Sequence, residues 1–98
     1  MKKTREKIRI LAWDSVEYLK TEKDMAHYLE AALEDGDPAL VAAVLGDIAR
    51  AQGMTKIAKK AGLGRESLYK ALSRDGNPEL VTVLKVVKAL GLKLKVAA

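Results

Sequence analysis

The sequence predicts an all-α protein, one compact bundle of short helices built around a helix-turn-helix, and three observations carry that prediction. Met54–Leu72 reads as two short apolar stripes joined through Gly62, the spacing of a helix-turn-helix. On either side of it, apolar residues recur at i, i+3, i+4 spacing between Gly and Pro punctuation. Apolar content is 49% with only 4% aromatics, so Ala, Leu and Val must make most contacts, as thin helix–helix interfaces require. Ninety-eight residues suit one domain with one modest core.

Taken in order, residues 1–13 carry five Lys/Arg against one Glu and read as a basic, flexible arm preceding a single helical domain at 14–98. Trp13 precedes Asp14 and Ser15, either of which can cap a short helix running to about Lys20. Thr21 opens the next helix, with Asp24 three residues on as the acidic member of a capping box. Met25, Tyr28, Leu29, Ala32 and Leu33 form its apolar stripe, and Gly36 ends it. Asp37-Pro38 starts another helix as N-cap and first position, burying Leu40, Val41, Val44, Leu45, Ile48 and Ala49, until Gly53 closes it. Gly46 inside that helix costs about 1 kcal/mol against Ala, which points to a close helix crossing.

Within the helix-turn-helix, Ile57, Ala58 and Ala61 face inward from the first helix, and Leu63 anchors the turn. Leu68, Ala71 and Leu72 face inward from the second. Beyond it, Asn77-Pro78 is expected to cap a last helix whose Leu80, Val83, Leu84, Val87 and Leu90 point inward and which Gly91 stops. Leu92-Lys93-Leu94-Lys95-Val96 alternates strictly and predicts a short C-terminal strand. A lone strand must pair with another chain, lie along its own domain or fray.

Charge is segregated. Residues 14–53 are net −6 and residues 54–98 net +7, within an overall +5. A basic half that contains the helix-turn-helix favours a polyanion, and an acidic half in front of it favours a basic partner. No Cys and one His leave no thiolate zinc site and no disulfide framework, so no metal or cofactor is expected, and His27 reads as a surface or helix-contact residue. No nucleophile, base and orienting group converge, so an enzyme is not expected. No apolar run approaches the roughly 18 residues a membrane span needs, and the cytoplasm is the default address.

The second helix of the motif leaves Arg65, Glu66, Ser67, Tyr69 and Lys70 pointing away from the core. These are the base-reading candidates: Arg65 can fork onto guanine O6 and N7, Glu66 can accept from cytosine N4 or only stabilise the helix N-terminus, and Tyr69 can meet phosphate or a thymine methyl. Thr55, Lys56, Lys59, Arg74 and Asn77 are phosphate candidates, because helix N-termini and cations attract anions. Any one of these charged side chains taken alone is by default a solvated one, and Tyr69 by default half-buried against the first helix. One recognition helix reads only a few base pairs, so a homodimer on a palindromic operator is expected, with half-sites roughly 34–36 Å apart. Leu92, Leu94 and Val96 are the candidate dimer contacts.

The turn GNPEL and the closing ALGL, following a helix-turn-helix, resemble the Xre-type, lambda-repressor-like DNA-binding domains. A narrower resemblance, spanning about Trp13 to Val96, rests on EYLKTEKDMAHYLEAAL, LGDIARAQGMTKIAKKAGL and RESLYKALS, which look like the HigA-like addiction-module antidotes of type II toxin–antitoxin pairs. The resemblance implies a repressor of its own operon that also neutralises a RelE/ParE-type, HigB-like toxin. Such a toxin is basic enough to hold RNA, which makes Asp24, Glu30, Glu34 and Asp35 the candidate toxin contacts. Gly64 departs from the Ser common at the recognition-helix N-cap, a loss of only a few tenths of a kcal/mol in stability but of one phosphate-contacting hydroxyl. Two other readings stay open: a stand-alone or phage-type repressor with no toxin, and a protein-interaction module that binds no DNA. A small basic toxin gene next door would favour the antitoxin.

Overall fold

The first two helices begin on the caps that the sequence offers them. The structure, a computed structural model, describes residues 21–98, and its helices are α1 (Glu22–Asp35), α2 (Pro38–Gln52), α3 (Met54–Ala61), α4 (Arg65–Ala71) and α5 (Leu80–Ala89). The basic arm, Trp13 and the helix expected before Lys20 lie outside the described residues. Thr21 accepts the Asp24 N–H at 3.1 Å, and Asp37 accepts the Ala39 N–H at 3.0 Å with Pro38 as the first residue of α2. Each cap satisfies one of the N–H groups that a helix start leaves without an intrahelical acceptor.

α3 is the central element, packing on α2, α4 and α5, while α1 packs on α2. A single apolar cluster joins all five helices. It takes Met25, Tyr28, Leu29 and Ala32 from α1, Val44, Leu45, Ile48 and Ala49 from α2, and Met54, Ile57 and Ala58 from α3. Leu68, Leu72, Val86, Val87 and Leu90 complete it. This is a helical globule consistent with a helix-turn-helix type of fold. The crossing expected at Gly46 is present: a Cβ there would run into the backbone carbonyl oxygen of Leu72, at the end of α4.

Three expectations need correction. Asn77 does not cap the last helix. Glu79 is its N-cap, with extended backbone at φ −65° and ψ 155° and no side-chain cap bond, and the helix starts at Leu80. Residues 77–79 instead pass alongside the α1–α2 corner, where Asn77 and Pro78 share a small cleft with Gly36 and Pro38. Pro78 fits that extended path as well as it fits a first helical turn. Leu33, Leu80 and Leu84 were expected inside but are exposed, at 46%, 70% and 46%. The buried stripe of α5 is Val83, Val86, Val87 and Leu90, with Val83 half-buried at its margin, so Leu80 and Leu84 lie outside it.

The third correction is that no strand occurs among the described residues. The alternating segment pairs with no other strand among the described residues. After Gly91, at φ 79°, the Leu92 N–H bonds back to the Val87 carbonyl at 3.0 Å, and half-buried Leu92 packs on the core. Residues 92–95 then border a groove against α1.

Candidate nucleic-acid interface

The turn between α3 and α4 takes three residues. Gly62, at φ 70°, ends α3 in the left-handed region that only Gly enters cheaply, and the Leu63 N–H closes onto the Ala58 carbonyl at 2.9 Å. Leu63 is half-buried against the core, as expected of the residue that anchors the turn. Gly64 is the N-cap of α4, extended at φ −70° and ψ 139°, and supplies no side-chain cap. A Cβ on Gly64 would meet the Ser67 Oγ at an ordinary 3.7 Å, so a serine would fit there.

Leu68 and Leu72 are fully buried and fix the roll of α4 about its axis. Arg65, Glu66, Ser67, Tyr69 and Lys70 are all exposed. At the far end, Ser73 Oγ donates to the Lys70 carbonyl at 2.8 Å, and Gly76 lies so close to the Lys70 and Ala71 carbonyls that no Cβ could be placed there. Gly76 lies in the turn expected from the sequence, whereas Ser73, an ordinary stop signal just after a helix, was missed.

The phosphate candidates Thr55, Lys56, Lys59, Arg74 and Asn77 are exposed too. They do not all border one groove. Lys56 borders a groove of about 710 Å³ between α3 and α5 with Lys60, Lys85 and Lys88, where the one acid is Glu22, whereas Thr55 and Lys59 are outside its lining. Lys60, Lys85 and Lys88 were missed. Their signal was an i, i+4 lysine pair on α3 and an i, i+3 pair on α5. The free N–H groups at the start of α5 belong to residues 80–82 rather than to those behind Asn77, and the Glu79 carboxylate in front of them disfavours an anion.

Tyr69 is 47% exposed, and the group over its ring comes from α2, not from α3. The Arg50 guanidinium carbon lies 5.7 Å from the ring centroid. Arg50 also donates to one oxygen of Asp47 at 2.6 Å, and the Tyr28 hydroxyl donates to the other at 2.9 Å. Burial pushes the Tyr28 phenol well above the usual tyrosine range, the Asp47 charge and hydrogen bond push it further, and Arg50 partly opposes them. Asp47 and Arg50 were not singled out from the sequence. The available signals were their i, i+3 spacing and a tyrosine on an apolar stripe whose hydroxyl needs a partner.

On the opposite half, Glu30 and Glu34 are exposed one turn apart on α1. They border a groove of about 860 Å³ with Leu29, Leu33, Leu92 and Leu94, whose rim also carries Lys23, Lys93 and Lys95. Asp24 and Asp35 are half-buried near the two ends of α1, away from that groove. Of the dimer candidates, Leu92 is half-buried, Leu94 is 43% exposed and Val96 is fully exposed. His27 is exposed, and among the described residues no three His, Asp or Glu side chains are grouped to hold a metal ion. No described helix is long and apolar enough to cross a membrane.

A family model described as "Probable addiction module antidote protein" matches residues 9–98. An uncharacterized protein of Haemophilus influenzae (strain Rd) is 48% identical over 84 residues, which cover 86% of this chain and 87% of the relative. No solved structure matches the chain significantly.

Proposed function

The chain belongs to the probable addiction module antidote family, and from that premise we propose that it is a DNA-binding antitoxin that represses its own operon and neutralises a RelE/ParE-type, HigB-like toxin in the cytoplasm. The observation that carries the DNA half is α4. Leu68 and Leu72 lock it into the core, and Arg65, Ser67, Tyr69 and Lys70 are exposed on a helix in the +7 half of the chain. In this reading Arg65 takes a guanine, Ser67, Tyr69 and Lys70 read neighbouring base edges, and Glu66 takes a cytosine N4. Thr55, Lys56, Lys59 and Arg74 hold phosphates and set the register. The protein acts by binding, with no catalytic step and no cofactor.

A homodimer places two such helices on a palindromic operator. Leu94 and Val96 are proposed as contacts, with exposed Leu80, Val81 and Leu84 of α5 as further apolar area. The toxin is proposed to meet the groove beside Glu30 and Glu34, where exposed Leu33 and Leu94 offer apolar contact next to the charge. The family's description favours this reading over a stand-alone repressor. Two experiments test it. Footprinting of the DNA upstream of its gene should show two protected half-sites about one helical turn apart. Co-expression with the product of the adjacent toxin gene should relieve growth arrest, and persistence of the arrest would refute the antidote half.

A further inference from the structure

Tyr28 is 1% exposed, and a hydroxyl so nearly buried needs an acceptor. It reaches out of α1 to Asp47 on α2, at 2.9 Å. The second Asp47 oxygen holds Arg50 at 2.6 Å, and the Arg50 guanidinium lies over the Tyr69 ring on α4. These contacts run from the buried face of α1, across α2, to the exposed face of the recognition helix. We infer that Arg50, clamped by Asp47, is a positioning residue that orients Tyr69 for base reading, and that Tyr28 anchors the clamp. The inference rests on the proposed DNA-reading role of α4.

An exposed arginine has about 2 kcal/mol of rotamer entropy to lose, so an unrestrained one spends little time over a single ring. Asp47 restricts that freedom, because its other carboxylate oxygen accepts from the hydroxyl of a buried tyrosine. The α2 backbone leaves room for the arrangement. A Cβ at Gly46 would come within 3.3 Å of both terminal guanidinium nitrogens. With Arg50 on one face, the half-exposed Tyr69 ring loses rotamer choices, and its edge and hydroxyl point in fewer directions. Asp47 also cancels most of the Arg50 charge. The pair therefore supplies orientation rather than phosphate attraction.

The test compares binding to the duplex upstream of its own gene with binding to a scrambled duplex, for the wild type, Arg50→Ala, Arg50→Lys, Asp47→Asn, Tyr69→Ala and the double variant Arg50→Ala/Tyr69→Ala. Circular dichroism melts restrict the comparison to temperatures at which every variant is folded. Loss of a surface cation–π contact should lower the specific-to-scrambled ratio of Arg50→Ala by about two- to fivefold. The double variant should be no worse than Tyr69→Ala, because the two residues act as one unit. Arg50→Lys keeps the charge but loses the planar fork and should not restore the ratio.

Asp47→Asn separates orientation from charge. Adding one net positive charge should tighten binding to the scrambled duplex, while the loss of the clamp lowers the ratio. In the free protein, Arg50 side-chain protons should show an upfield ring-current shift by NMR that disappears in Tyr69→Ala and shrinks in Asp47→Asn. Unchanged ratios in Arg50→Ala and Asp47→Asn, or losses that add in the double variant, would overturn the inference while leaving DNA reading intact. A wild type with no preference for its own DNA is a different result: it refutes the DNA-reading proposal and this inference with it.

Discussion

Replacing Gly46 by Ala sets two physical effects against each other. Gly46 lies inside α2, where Ala is the better helix former by about 1 kcal/mol, so local propensity alone predicts a more stable protein. The structure predicts the reverse. The new methyl group would overlap the Leu72 carbonyl oxygen, and that oxygen is backbone, so it cannot rotate away. Leu72 is itself fully buried, so α4 can retreat only by disturbing its main anchor. Inserting one methyl group into a packed site costs about 1–3 kcal/mol, and collision with backbone points to the upper end. Set against the propensity gain, the net loss should be about 2 kcal/mol, a fall in Tm of roughly 8–16 °C for a domain of this size. Urea unfolding followed at 222 nm would measure it. Equal or greater stability of Gly46→Ala would refute the claim that α2 and α4 meet there in backbone contact.

Other outcomes follow from the same geometry. Tyr28→Phe should cost about 1.5 kcal/mol at neutral pH, the low end for a hydrogen bond to a carboxylate because Asp47 is partly exposed. In the wild type the folded-state phenol is held above its ordinary value near 10, so its stabilising effect is complete below about pH 10 and is lost as pH climbs beyond it. The alkaline limb of a stability–pH curve should therefore be steeper for the wild type than for Tyr28→Phe, and parallel limbs would count against the burial of that hydroxyl. Truncation after Gly91 removes Leu92, Leu94 and Val96 and should shift sedimentation from dimer to monomer, whereas an unchanged dimer would move the interface to the Leu80, Val81 and Leu84 face of α5. Glu30→Lys with Glu34→Lys should slow toxin association several-fold at low salt with unchanged helicity, as expected when steering charges are reversed. An unchanged association rate would take that groove out of the toxin interface.

What was legible in the sequence was what is decided within a few residues. Thr21 and Asp37 serve as caps because the donors they satisfy lie two or three positions away. Gly62 ends α3 because its left-handed φ is a local requirement. The end of the chain was harder to read for physical reasons. Asn77-Pro78 suits an extended path and a helix start equally well, and packing beside Gly36 and Pro38 decides between them. In α5, apolar residues occupy so many positions that periodicity does not fix the phase, so Leu80 and Leu84 were placed inside when Val86 is the buried residue. Alternation at 92–96 has strand periodicity, but a strand needs a partner, and Leu92 gains more by closing the helix end and packing on the core. The Tyr28–Asp47–Arg50–Tyr69 chain joins three helices, and no local pattern could reveal it.

The central claim is that the exposed face of α4 reads DNA, and a fluorescence-anisotropy titration of wild type and Arg65→Ala tests it most directly. The two duplexes are the DNA upstream of its own gene and a scrambled control, each measured across a range of salt concentrations. The wild type should prefer its own DNA, and its affinity should fall steeply with salt on both duplexes as phosphate neutralisation releases counterions. Arg65→Ala should lose about 1–3 kcal/mol on its own DNA and much less on the control, because only the first duplex would place a guanine where the proposed Arg65 contact needs it. Equal losses on the two duplexes, or a wild type that does not distinguish them, would contradict the account.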